Sequence, residues 1–161
     1  MCSDSFGPPS QSLEALLPTL LPSAISWVKV QSAFILESGS PLTETGLRLA
    51  RAVGVSHPEK IRISVVSELP QPSEPNLRDI AIQTGLLGPN MIGITFGYGI
   101  YVCDGHISNR LISHECRHVF QYETAGSIDA FLPIYLQQIA TVGYDSAPYE
   151  IDAREHEQDI A

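Results

Sequence analysis

The chain has 161 residues, 43% of them hydrophobic and 17% charged, with a formal net charge of −9. This length and balance describe one globular domain that can bury a core without staples, and they exclude a disordered chain. The acidity excludes nucleic acid as a partner, because no basic stripe is present to meet phosphates.

Residues 1–10 are polar and Pro-containing and read as a flexible tail, leaving 11–161 as a single domain with an N-terminal helical part over 11–59 and a core over 60–161. The apolar run from Ala15 to Val28 carries Pro18 and Pro22 and reads as too short to span a bilayer. Its expected place is a helix packed on the domain. The pattern predicts a helix over Ser23–Glu37 that stops near Gly39, and a second over Thr43–Val53 closed by Gly54. Ile61–Val66 is rich in β-branched residues and predicts a strand. Pro70, Pro72 and Pro75 mark a loop, and Leu77–Thr84 a short helix ending near Gly85.

Met91–Phe96 and Gly99–Cys103 predict two strands of a hairpin around Gly97-Tyr98. Asp104-Gly105 turns the chain into a helix over Ile107–Tyr122. Its apolar stripe is Ile107, Leu111, Ile112, Cys116, Val119 and Phe120, with Ser108 or Asn109 as its cap. Ser127–Val142 predicts a further helix, with a break near Pro133. Pro148 suits the first position of a last helix that Ser146 could cap. The order of elements predicts an α+β fold, a small sheet with the helices gathered to one side.

The stretch His114-Glu115-Cys116-Arg117-His118 carries the chemistry. On a helix, residues four apart point the same way, so His114 and His118 can grip one metal ion through their ring nitrogens. Glu115 can reach a water held by that ion. Cys116 lies about 200° around the helix from His114 and should face the core. Arg117 reads as a packing or ion-pairing residue. Zinc suits this donor set, although other divalent metals would accept it. Glu115 argues against a purely structural site, which four ligands usually close. A structural site built on Cys103 and His106 lacks paired cysteines. His57, beside Pro58, reads as a surface residue. Cys2, Cys103 and Cys116 make no disulfide framework and fit a reducing compartment. With no basic segment of a secretory signal, the expected setting is cytoplasmic and soluble, with no membrane partner.

A hairpin strand, Gly97–Val102, followed by the helix segment Leu111–Gln121 and a later acidic helix, resembles the zincin metallopeptidases. In detail it is similar to small gluzincin-type members. The resemblance covers about Met91 to Glu157 and leaves the helices before Lys60 unexplained. It is not the metzincin pattern, whose third His and Gly are replaced here by Thr124 and Gln121. A peptide deformylase also fits poorly, because the surroundings of Cys103 differ. The resemblance implies a third ligand, Glu150, with Ala153 as the small residue that lets two helices approach. Asp152, Glu155 and His156 are rivals for the ligand; with Asp159 they form a stripe that reads as solvent-facing. Arg154 stands where the pattern has an acid that orients a ligand histidine; Asp129, Asp145 or a backbone carbonyl could substitute.

The resemblance implies hydrolysis of a peptide bond, with Glu115 as general base and a peptide or protein as substrate. Tyr144 is a candidate donor to the oxyanion. Gly99–Cys103 could be an exposed edge on which an extended peptide pairs, with Tyr98 and Tyr101 lining the cleft. The alternative is a zincin-like metal-binding domain that cleaves nothing.

Overall fold

One helix, α1 (Leu13–Ser38), carries the first apolar run and the predicted helix after it. The computed structural model describes residues 13–159, so the tail expected over residues 1–10 lies outside them. Leu17, Leu20, Ala24, Val28, Ser32 and Ile35 are buried at steps of three and four, which is one face of a helix. Pro18 and Pro22 lie inside α1. Each lacks an N–H and costs one helical hydrogen bond, but neither side chain is needed on the buried face. At 26 residues α1 is longer than the sequence reading allowed, and its length and composition would suffice to cross a membrane. Here its inner face packs on the sheet and on the fifth helix.

The remaining elements are β1 (Ser40–Pro41), α2 (Glu44–Ala52), β2 (Arg62–Val66), α3 (Pro75–Gln83), β3 (Gly93–Phe96), β4 (Gly99–Cys103), α4 (Asn109–Ala125), α5 (Ile128–Val142) and α6 (Pro148–Glu155). The fold is α+β, with six α-helices and a small mixed sheet in the order β1-β2-β4-β3. β3 and β4 form the expected antiparallel hairpin, with Phe96 opposite Gly99. β2 runs parallel to β4, from Arg62 beside Gly99 to Val66 beside Cys103. β4 is therefore interior, and the edge expected at Gly99–Cys103 is not there; β1 and β3 are the edges. The chain between β2 and β4 includes α3, and this crossover returns β4 beside β2.

All five residues of β4 are buried, and successive residues join different clusters. Ile100 and Val102 pack with Ala50, Val53, Cys116 and Val119. Tyr101 and Cys103 pack with Val28, Ile35, Phe96 and Phe131. Gly99 is required where α1 crosses β4, because a Cβ there would lie 2.9 Å from the Ile35 Cβ. Neither Tyr98 nor Tyr101 lines the cavity at Glu115. The Tyr101 hydroxyl donates to Gln31 Oε1 (2.8 Å) and the Tyr98 hydroxyl to Glu123 Oε2 (2.7 Å).

The motif helix begins later than predicted. Ser108 is its N-cap and accepts from the Leu111 N–H at 3.0 Å, so Ile107 lies outside and is 56% exposed instead of joining the apolar stripe. Cys116 is fully buried, as its angle on the helix required. α5 continues through Pro133, where a break was expected. Ser127 caps its start and burial of Phe131, Leu132 and Ile139 holds the rest. α6 starts from Ala147 with no side-chain cap, so Ser146 does not serve there; Pro148 at the first position presets the backbone instead.

Candidate metal centre

α4 and α6 bring three side chains together. His114 Nε2 lies 3.2 Å from Glu150 Oε1, and His118 Nε2 lies 3.1 Å from Glu150 Oε2. Among the described residues, these three form the group of His, Cys, Asp and Glu side chains close enough to hold a metal ion. Glu150 is 1% exposed. Ala153, one turn further on α6, is fully buried and leaves room for α4. One ligand atom from each of the three residues lies within 4.8 Å of the other two, close enough to converge on one ion. Three ligands leave a fourth position open, as in catalytic sites.

The other ring nitrogens sharpen this. His114 Nδ1 faces Glu157 Oε2 at 2.8 Å, and His118 Nδ1 faces Gln121 Oε1 at 2.8 Å. Both partners accept, so each Nδ1 carries the proton. Gln121 is oriented by donating Nε2–H to Tyr149 O and Asp152 Oδ2, both at 2.9 Å. Each Nε2 then faces a carboxylate, which also only accepts. Either two buried imidazoliums share one Glu150, or a cation sits between the lone pairs. The donor set fits a divalent ion.

Without a metal the same conflict appears in the acid–base balance. Burial lowers the His114 pKa, but its hydrogen bond to Glu150, the charges of Glu115 and Glu150 and its hydrogen bond to Glu157 outweigh it and hold it at about 9. His118 is also raised: burial opposes the shift and Glu150 drives it. Burial pushes Glu150 up, yet His118, His114 and Tyr135 hold its carboxyl far below the usual range. The Tyr135 hydroxyl donates to Glu150 Oε2 at 2.6 Å.

The rival ligands point elsewhere. Asp152 takes a two-bond contact from Arg117, at 2.7 and 3.1 Å, and only half of the predicted stripe is solvent-facing. Glu155 and Asp159 are exposed, whereas His156 Nδ1 turns back to Asp152 O at 2.7 Å. Arg117 also donates to Val53 O at 2.6 Å, so it ties α2, α4 and α6. Asp129 pairs with Lys29 (2.8 Å) and Asp145 is exposed, while Nδ1 of His114 and of His118 faces Glu157 and Gln121, so neither acid orients these histidines. Glu157 does so instead. Arg110 Nε holds it at 2.8 Å, and the Gln158 N–H donates to Ser113 Oγ at 2.8 Å. Cys103 Sγ donates to Met91 O at 3.8 Å, and His106 is exposed. His57 is exposed, as expected.

Glu115, 4% exposed, is held by its own strand contact. Thr95 Oγ1 donates to Glu115 Oε1 at 2.6 Å. The other oxygen, Oε2, lies over Gly93, where a Cβ would approach it to 3.2 Å. Glu115, His118, Glu150 and Tyr144 line one cavity of about 100 Å³. Burial first, then the charges of Glu150 and Glu115, raise the Tyr144 hydroxyl far above its ordinary pKa and keep it protonated as a donor.

The sequence reading missed Thr95, Gly93, Gln121, Tyr135 and Glu157. Gln121 alone left a signal, three residues after His118 on the same helix. Comparison of the chain with family models, curated proteins and solved structures gives no match.

Proposed function

We propose that the protein is a metal-dependent hydrolase of peptide bonds. The observation that carries this is the meeting of two Nδ1-protonated imidazoles on one buried carboxylate, with Glu115 on the wall of the same cavity. His114, His118 and Glu150 would hold the ion, and zinc is the metal that the donor set suits best. A bound ion of this kind lowers the pKa of water and polarises a carbonyl.

The chain's own residues supply the rest. Thr95 anchors Oε1 of Glu115, leaving Oε2 to take a proton from the attacking water and return it to the leaving nitrogen. The Tyr144 hydroxyl, kept protonated, donates to the oxygen that becomes negative. β3 is the edge strand that packs on α4, and Gly93 brings its backbone against the Glu115 carboxylate. The free buried thiols Cys103 and Cys116 accord with a reducing, cytoplasmic setting.

The test is a quenched-fluorescent peptide library with zinc, with a chelator, and with Glu115→Gln. Cleavage should need both the metal and Glu115, while Glu115→Gln keeps the metal. Full activity in Glu115→Gln contradicts the mechanism. Metal binding with no cleavage of any substrate would make this a metal-binding domain.

A further inference from the structure

The cavity beside Glu115 is far less polar than its reactive wall suggests. It runs along α1 from Leu13 to Val28, about 22 Å of helix. Leu17, Leu20 and Ala24 of α1, Ile80 and Ala81 of α3, and Leu136 of α5 form its sides. Polar side chains on its wall gather at one place: Thr95, Glu115, His118, Glu150 and the hydroxyls of the neighbouring tyrosines. Its volume is only about 100 Å³. An engineered cavity of about 150 Å³ is a compact chamber that holds one benzene. The cavity's apolar wall follows about four turns of α1, the reach of an extended hydrocarbon chain rather than of a compact ring. α1 and α3, the helices that make it, are the elements the hydrolytic centre itself does not use.

We infer that the substrate is an amide whose acyl part is an unbranched aliphatic chain, and that this chain lies in the channel along α1 with its carbonyl at Glu115. This rests on the hydrolytic reading for the fate of the amide, but not for the binding of the chain. The reaction adds one water across the C–N bond. The acyl carbon gains the oxygen and leaves as a carboxylic acid; the nitrogen takes the proton and leaves as an amine. Each methylene buried in an apolar channel contributes about 0.8 kcal/mol, close to a fourfold change in affinity. Affinity should therefore climb steadily with chain length until the channel is full.

Binding is measured with Glu115→Gln protein carrying zinc, by displacement of a straight-chain N-acyl glycine amide that carries a dansyl group on the amine side of the scissile bond, so that only its acyl chain enters the channel. The competitors are N-acyl glycine amides with straight acyl chains of increasing length, and branched and phenyl-bearing acyl groups of matched carbon number. The expected result is affinity rising about threefold to fourfold per methylene for straight chains, with branched and aromatic groups at least tenfold weaker than the matched straight chain. Ala24→Phe and Ala81→Phe fill the channel from opposite walls. Each should erase the chain-length dependence while zinc content stays at the level of the parent protein, which also reports that the fold persists. A flat dependence on length, or equal binding of branched and straight chains, overturns the inference. Failure of the hydrolytic reading appears differently, as unchanged chain-length binding with no acid released by the wild type.

Discussion

Glu150→Gln removes the charge on which both histidines converge while keeping the shape of the side chain. In metal-free protein, His114 is raised from 6.5 to about 9, net of the burial that opposes the rise. At about 1.4 kcal/mol per pKa unit, this corresponds to about 3 kcal/mol of stability. The sign follows from a folded pKa above the unfolded one. The contribution is fully present below pH 6.5 and is lost as pH rises through about 9. Glu150 supplies the largest share of the rise, through a 3.2 Å contact from a position 1% exposed. The substitution should therefore cost about 2–3 kcal/mol at pH 6 and much less at pH 9.5, where His114 is mostly neutral in either protein. The assay is urea unfolding with a chelator at both values, together with NMR titration of the His114 ring, whose pKa should fall from about 9. Equal destabilisation at the two pH values would refute the reasoning.

Glu157→Gln keeps a hydrogen-bond acceptor for His114 Nδ1 but removes its charge; zinc affinity should fall about 10- to 100-fold in a competitive chelator titration, with the thermal midpoint of the metal-free protein little changed. Gly93→Ala places a methyl 3.2 Å from Glu115 Oε2 and 3.2 Å from Leu111 Cδ1, so the carboxylate must shift. Hydrolysis should fall about 10-fold or more with zinc content unaltered, since misplacement by an ångström can cost about 100-fold. Zinc binding itself should release protons at pH 7.5, because His114 is held at about 9 without the metal. Calorimetry in two buffers of different ionisation enthalpy reads that number directly.

The parts of this site that were legible from sequence are those set by short-range geometry. Four residues make one helical turn, so His114 and His118 share a face and Cys116 goes inward. Glu150 followed from a resemblance in spacing, and the structure places it between the two rings. What was not legible depends on where distant segments return. The parallel pairing of β2 with β4 is a non-local register, so the edge strand was assigned to the wrong arm of the hairpin. Glu157 lies seven residues beyond Glu150, past the end of α6, and reaches His114 only because Arg110 and Ser113 draw that segment onto α4. Tyr135 and Thr95 are ordinary core and strand residues in the sequence. Their roles come from meeting Glu150 and Glu115 across other elements. The run Ala15–Val28 and the pattern over Ser23–Glu37 each read as helix; that they form one continuous α1 through Pro18 and Pro22 depends on packing.

The central claim is a metal held by one carboxylate and two imidazoles, and elemental mass spectrometry of purified protein tests it most directly. The wild type should carry one divalent ion per chain, and His114→Ala, His118→Ala and Glu150→Ala should each lose it, while Asp152→Ala and Glu155→Ala retain it. A full complement of metal in Glu150→Ala, or none in the wild type after zinc loading, contradicts the account.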